Sequence, residues 1–248
     1  MDEGKPDYTL LEFPAPPDAR PYVVINMVAS LDGRVVIEGT ERGLGSKVDQ
    51  RLMRELRYHA DVVMNGANTL RASGTSSRVG DAELEERRIA QGKTRHPIAA
   101  VITASGSLPL DRSFFTARDF DAIVYLSERT PEDRRRAIEA TGRRVQVLRA
   151  GEEIHAMLRH MRAELGASLL LVEGGPTLNA ELFDLDAVDE LFLTLGGLIV
   201  GGRDPLTMIR EGRERSAEHV RRMDLVHAVP NRATNEVYLR YRRPSREA

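Results

Sequence analysis

The sequence predicts an α/β fold: a mostly parallel central sheet flanked by helices, closed by an antiparallel C-terminal hairpin. Three observations predict it. Near-continuous apolar runs rich in β-branched residues recur along the chain, as strands buried on both faces require. Helix-period stretches alternate with them, the pattern of parallel strands joined by helical crossovers. The last two runs alternate apolar with polar residues instead and are separated only by PNRAT, which reads as a hairpin.

The expected strands are YVVINMV (22–28), DVVMNG (61–66), IAAVIT (98–103), AIVYLS (122–127), RVQVL (144–148), SLLLVEGG (168–175) and DELFLTLGG (189–197), followed by the hairpin MDLVHAV and NEVYLRYRR. The stretch SKVDQRLMRELRYHA places Val48, Leu52, Leu56 and Ala60 four residues apart, with Ser46 as candidate N-cap. GEEIHAMLRHMRAEL aligns Ile154, Leu158, Met161 and Leu165, and TLNAELFD aligns Leu178, Leu182 and Leu185. Two charged stretches, GDAELEERRIAQGK and TPEDRRRAIEAT, read as solvated helix surface. Residues 1–20 hold five prolines or glycines and little periodicity, and read as an irregular arm draped over a single domain spanning 21–245.

Composition narrows the chemistry. The 248 residues carry 36 basic and 38 acidic side chains, a net charge of −2, which advertises neither a nucleic-acid nor a membrane partner. Cysteine is absent, which excludes disulfides, thiolate nucleophiles and cysteine-ligated zinc. His59 reads as a half-buried packing residue, and His155 and His160 as solvated helix positions. No histidine pair has metal-ligand spacing, so no metal is expected. The acidic N-terminus does not read as a signal peptide, and no apolar stretch is long enough to cross a bilayer; the expectation is a cytoplasmic protein.

The most informative stretch is LLLVEGGPTLNAELF. A strand ends on Glu173, two glycines strip the backbone bare, and a helix starts at Pro176 and Thr177. Glycines there permit close backbone approach, and a helix start offers free N–H groups to an anion. Glu173 lies at a strand's carboxyl end, where open α/β sheets bind ligands, and can accept from an amino-substituted heterocycle. Asp32, in LDGR, reads first as a turn residue and second as an acid to test for catalysis. Arg57 borders its helix's apolar stripe, a candidate phosphate clamp. NGANTLRASGTSSR (65–78) reads as a polar ligand loop in which Asn68, Thr69, Arg71 or Arg78 can meet a ligand. GLGS (43–46) follows no strand and is discounted as a dinucleotide fingerprint.

Together VASLDGR, LRYHADVVMNGANTL and LLVEGGPTLNAELF…VDELFLTLGGLIVGG resemble the reductase domain of riboflavin biosynthesis, from about residue 22 to the C-terminus. The resemblance implies a dihydrofolate reductase-like fold, NADPH as hydride donor, a ribosylamino-pyrimidine 5′-phosphate as substrate, and a homodimer. It assigns Val28, Ala29, Thr69, Ser73, Thr103 (or Ser105), Gly174, Gly175, Pro176, Thr177 and Leu178 to the cofactor. It assigns Ser30, Arg57, Arg78 and Glu173 to the substrate. The family's usual Asp falls at Ser73, its Asp-Pro at Gly74-Thr75, and its Ser and Trp near Glu41 and Gly43. The cysteine-built zinc deaminase often fused to such reductases is absent. Two alternatives stand beside this reading: a same-fold reductase of another heterocycle such as a dihydropterin, and a non-catalytic nucleotide-binding protein.

Overall fold

The structure, a computed structural model, describes residues 4–74, 76–203, 206–210, 216–217 and 220–244, without the side chain of Ser73. Thr75 therefore lies outside the described residues. The strands fall where the apolar runs place them: β1 Tyr22–Ser30, β2 Val62–Gly66, β3 Ile98–Thr103, β4 Ala122–Ser127, β5 Arg144–Leu148, β6 Leu169–Val172, β7 Glu190–Gly196, β8 Asp224–Asn231 and β9 Glu236–Arg242. The helices are α1 Lys47–His59, α2 Ala67–Ser73, α3 Ala82–Ala90, α4 Ser113–Thr116, α5 Glu132–Glu139, α6 Glu153–Ala163 and α7 Pro176–Asp184. One sheet orders the strands β5-β4-β3-β2-β6-β1-β7-β9-β8. Every pair from β5 to β7 is parallel, and β9 and β8 close the edge antiparallel.

Alternation along β1 explains why its sequence is apolar at successive positions. Val23 and Ile25 join a core under α6 and α7, whereas Tyr22 and Val24 join a core under α1 and the N-terminal arm. Side chains two apart share a face, so a strand covered on both sides is apolar throughout. A third core gathers Leu70 of α2, Phe114 and Phe115 of α4, and residues of β3 and β4.

Ser46 caps α1 as its sequence predicts, its hydroxyl accepting from the Val48 and Asp49 N–H groups. The cap is itself pinned, because Ser46 N–H and Oγ both donate to the Glu236 carboxylate at 2.7 Å. At the far end of α1, one charged helix proves not to be mere surface. Arg88 of α3 is 1% exposed and donates to the carbonyls of Arg57, Tyr58 and Ala60 through Nη1 at 2.8–3.0 Å. Its guanidinium satisfies carbonyls that a helix C-terminus leaves orphaned. The arm docks on α1 through Glu55, which accepts from Lys5 Nζ at 2.8 Å and Tyr8 N–H at 3.0 Å. Burial lowers the His59 pKa to about 4, so its neutral imidazole donates Nε2–H to the Tyr8 carbonyl at 2.7 Å. His160 is likewise engaged, with Nδ1 3.1 Å from the Tyr125 hydroxyl.

Asp49, in the first turn of α1, leads to a pH prediction. Burial lifts its pKa to about 6, against a Thr194 hydrogen bond and with help from the Glu236 charge. Gly45 has no side chain because a Cβ there would collide with the Asp49 carboxylate. A carboxyl raised in the fold stabilises the fold in its protonated form. That contribution is complete below the unfolded value near 3.8 and lost as pH climbs through about 6. Asp49→Asn, neutral throughout, is therefore expected to gain roughly 1–3 kcal/mol over wild type between about pH 4 and pH 7. Urea unfolding at both pH values measures it; an identical wild-type–variant difference at the two would contradict the assignment.

Candidate active site

A cleft of about 880 Å³ runs along the carboxyl ends of the parallel strands, from β4 to β1. That is where open α/β sheets bind ligands, and its volume falls within the range of small-molecule sites. Its middle is bare backbone. Gly66, at the end of β2, donates its N–H to the Gly174 carbonyl at 2.8 Å. A Cβ on Gly66 would sit 3.1 Å from Gly175 N, so only glycine lets these segments approach so closely. Gly174 has φ +101°, a conformation that side chains disfavour. Pro176 then opens α7 at its first position, where a missing N–H costs nothing. The first bond closing α7 is Asn179 N–H to the Gly175 carbonyl, which leaves the N–H groups of Thr177 and Leu178 without a helical partner where these residues line the cleft. Thr69 lines the same stretch, its Oγ1 3.5 Å from the place of a Gly175 Cβ.

The β1-side end combines apolar walls with one ion pair. Met27, Val35, Val36, Met53 and Leu206 supply the walls. Arg57, on α1, reaches Glu173 just past β6 with two hydrogen bonds of 2.6 Å, a fork-to-fork pair. Its Nη1 donates to the Arg78 carbonyl at 2.7 Å. Both partners are largely buried, at 12% and 8% exposure. Burial opposes the Arg57 charge, yet the Glu173 carboxylate more than compensates and holds its pKa above the usual value. Of five guanidinium N–H groups, three are occupied and two stay available. The β4-side end is polar: Thr103, Ser105, Ser127 and Glu153 line it, and Glu153 accepts from Ser127 Oγ at 2.9 Å.

The cleft brings together Arg57, Thr69, Thr103 and the run Glu173–Gly174–Gly175–Pro176–Thr177–Leu178. The other candidates lie elsewhere. Met27, not Val28, lines the cleft, because odd-numbered β1 residues share its face. Ala29 is on that face but 4% exposed. Ser30 is buried at the strand's end, its Oγ donating to Asp32 Oδ1 and accepting from Arg34 N–H. Asp32 holds the turn: Ser30's hydroxyl and the Gly201 and Val200 N–H groups keep its pKa near 2. The Arg78 guanidinium pairs with Asp119 at 2.5 and 2.8 Å, so this residue serves Arg57 through its backbone. The stretch 65–78 is not all loop, since Ala67–Ser73 forms α2 and buries Leu70. Asn65 and Gly66 of the predicted ligand loop 65–78 do line the cleft, as does Glu41, near which the family's usual Ser falls, whereas Met27 and Met53 line it with no signal in the sequence to single them out. Among the described residues no cluster of acids and histidines could hold a metal, and no helix is long and apolar enough to cross a membrane.

This architecture is the dihydrofolate reductase-like fold. The dihydrofolate reductase of Enterococcus faecalis superposes with a TM-score of 0.50 at 15% identity, over 90% of this chain and 97% of that one. Within that fold class, the chain belongs to the RibD C-terminal domain family, whose model matches residues 21–231. A curated relative from Archaeoglobus fulgidus, 2,5-diamino-6-ribosylamino-4(3H)-pyrimidinone 5′-phosphate reductase, is 32% identical over 197 residues, 76% of this chain and 86% of the relative. A pyrimidine reductase-like protein from Corynebacterium diphtheriae superposes with a TM-score of 0.79 at 19% identity, over 90% of this chain and 91% of that one.

Proposed function

We propose that this protein is an NADPH-dependent reductase of a ribosylamino-pyrimidine 5′-phosphate, converting the ribose to a ribityl chain. The observation that carries the reading is the bare backbone at Gly174 and Gly175, leading into the start of α7 beside an ion-paired Arg57 and Glu173. The A. fulgidus relative is named for such a reaction, and the E. faecalis enzyme was solved with NADP(H). The same resemblance supports a homodimer acting in the cytoplasm.

The residues present fit a dinucleotide. The gap over Gly174 and Gly175 is one that a Cβ would narrow, and the α7 start turns its positive end toward a pyrophosphate. Thr69 and Thr103 add hydroxyls on the way to the polar end. The bound cofactor supplies a hydride; the protein's work is to align donor and acceptor, worth roughly 7–11 kcal/mol of the barrier when geometry is good. Apolar Met27, Val35 and Leu206 enclose a flat heterocycle and exclude water. Arg57's two remaining N–H groups meet the ribotide, and Glu173's remaining lone pairs accept from its amino or hydroxyl groups.

Gly175→Val is expected to weaken NADPH binding at least about tenfold by crowding this seat, read by fluorescence titration. An unchanged affinity would remove Gly175 from the cofactor site. NADPH oxidation assayed with the pyrimidine ribotide and with dihydrofolate tests the function itself. Turnover with the ribotide alone is expected. Turnover with dihydrofolate alone would replace the substrate, and saturable NADPH binding without turnover on either would mean a binding protein.

A further inference from the structure

Among the described residues, Asn65, Thr103 and Ser127 are the buried polar side chains that line the cleft, and one of them stands apart. Thr103 Oγ1 accepts from Gly106 N–H at 3.2 Å, and Ser127 Oγ donates to Glu153 at 2.9 Å. Asn65 is 4% exposed, and its side-chain amide has no hydrogen-bond partner among the described residues. It is also out of place in its strand. β2 reads VVMNG and is buried throughout, and Asn suits strands poorly. An amide carries two donors and an acceptor, and leaving them buried and unpaired costs stability. Such breaches of a local rule are expected where a chain serves a ligand.

The sheet register places this amide. Asn65 lies one step past the Met64–Val172 pair of β2 with β6. Two backbone bonds flank it: Glu173 N–H to the Met64 carbonyl at 2.9 Å, and Gly66 N–H to the Gly174 carbonyl at 2.8 Å. Val63 and Leu171, two residues earlier in each strand, join the core under α1 with Leu52 and Leu56. Side chains two apart share a face, so Asn65 and Glu173 turn to the side of α1, which carries Arg57. We infer that the Asn65 amide binds the hydroxyls of the substrate's sugar beside the carbon that takes the hydride. This inference rests on the reductase reading above and deepens it. An ionised phosphate calls for a cation such as Arg57, and a flat ring suits the apolar walls. A neutral amide matches neither; it matches hydroxyls, which donate and accept as it does. Its place agrees, because the dinucleotide seat begins at Gly174, which Gly66 holds, and the ion pair meets the ribotide on the other side.

Steady-state kinetics of the full chain with NADPH, the ribotide and its 2′-deoxy and 3′-deoxy analogues test this. Wild type is expected to lose about 10- to 100-fold in kcat/KM with at least one analogue. Asn65→Val is expected to lose as much with the ribotide itself, and no more than about threefold further with that analogue. Its NADPH affinity should stay within about threefold of wild type. Its Tm should be no lower than wild type, because the substitution removes a buried unpaired amide. Asn65→Ser, whose hydroxyl both donates and accepts, should recover part of the ribotide activity. Wild type indifferent to both analogues would overturn the assignment and leave the reductase reading intact, a result that needs no variant to fold. So would the full analogue penalty persisting in Asn65→Val, NADPH affinity falling in step with ribotide kcat/KM, or a lowered Tm. Failure of wild type to oxidise NADPH with the ribotide would overturn both.

Discussion

Arg57→Ala is expected to lower kcat/KM for the ribotide by about 100- to 1,000-fold while changing NADPH affinity less than about threefold. Two losses combine. The substrate loses the two guanidinium N–H groups left over from Glu173 and the Arg78 carbonyl. Glu173, 8% exposed, loses the cation that makes its burial tolerable. Removing one partner of such a pair leaves an uncompensated charge, at a cost of about 3–5 kcal/mol. Part of that cost appears as a lower Tm, and part as displacement of Glu173. Comparing KM for ribotide and for NADPH separates the site effect from the general one. An equal rise in both would show that Arg57 supports the cleft as a whole.

The largest effect on stability is expected at Glu190, in β7. Its carboxylate is fully buried and accepts from Arg240 Nε at 2.7 Å, Arg242 Nε at 2.8 Å and the Tyr22 hydroxyl at 2.9 Å. One side chain thereby ties β1, β7 and β9 across the junction where the sheet changes from parallel to antiparallel. Arg240, 7% exposed and lying over the Phe192 ring, has no other acid bonded to it among the described residues. Glu190→Ala strands that charge and should cost about 3–5 kcal/mol. For a domain this size the loss lowers Tm by about 6–20 °C, read by calorimetry. Ribotide KM in the cold should hold, because Glu190 lies outside the cleft. A Tm within about 2 °C of wild type would refute the network's role.

The inner parallel strands were legible because strands buried on both faces must be apolar throughout, as β4 with its six buried residues shows. The order of strands was not. It depends on pairings such as β1 with β6 and β7, whose partners lie far apart in sequence and leave no local mark. α2 was hidden because NGANTLRASG is rich in turn-forming residues, while its burial of Leu70 is a tertiary fact. Arg88 read as surface because a charge count cannot show that a guanidinium caps another helix's carbonyls. In the site, the run from Glu173 to Leu178 was legible because its meaning lies in missing side chains. Met27 and Met53 were not: which side chain of β1 or α1 reaches the cleft depends on strand and helix phase.

On the proposed reading, the cleft aligns a reduced nicotinamide with the sugar carbon attached to the pyrimidine's 6-amino nitrogen. Turnover of the ribotide with NADPH carrying deuterium at both C4 positions of the nicotinamide tests this. One deuterium per product molecule is expected, carried on the ribityl carbon next to that nitrogen and undiluted by solvent hydrogen. A reduced product without label at that carbon, or with label lost to water, would contradict direct transfer across this cleft.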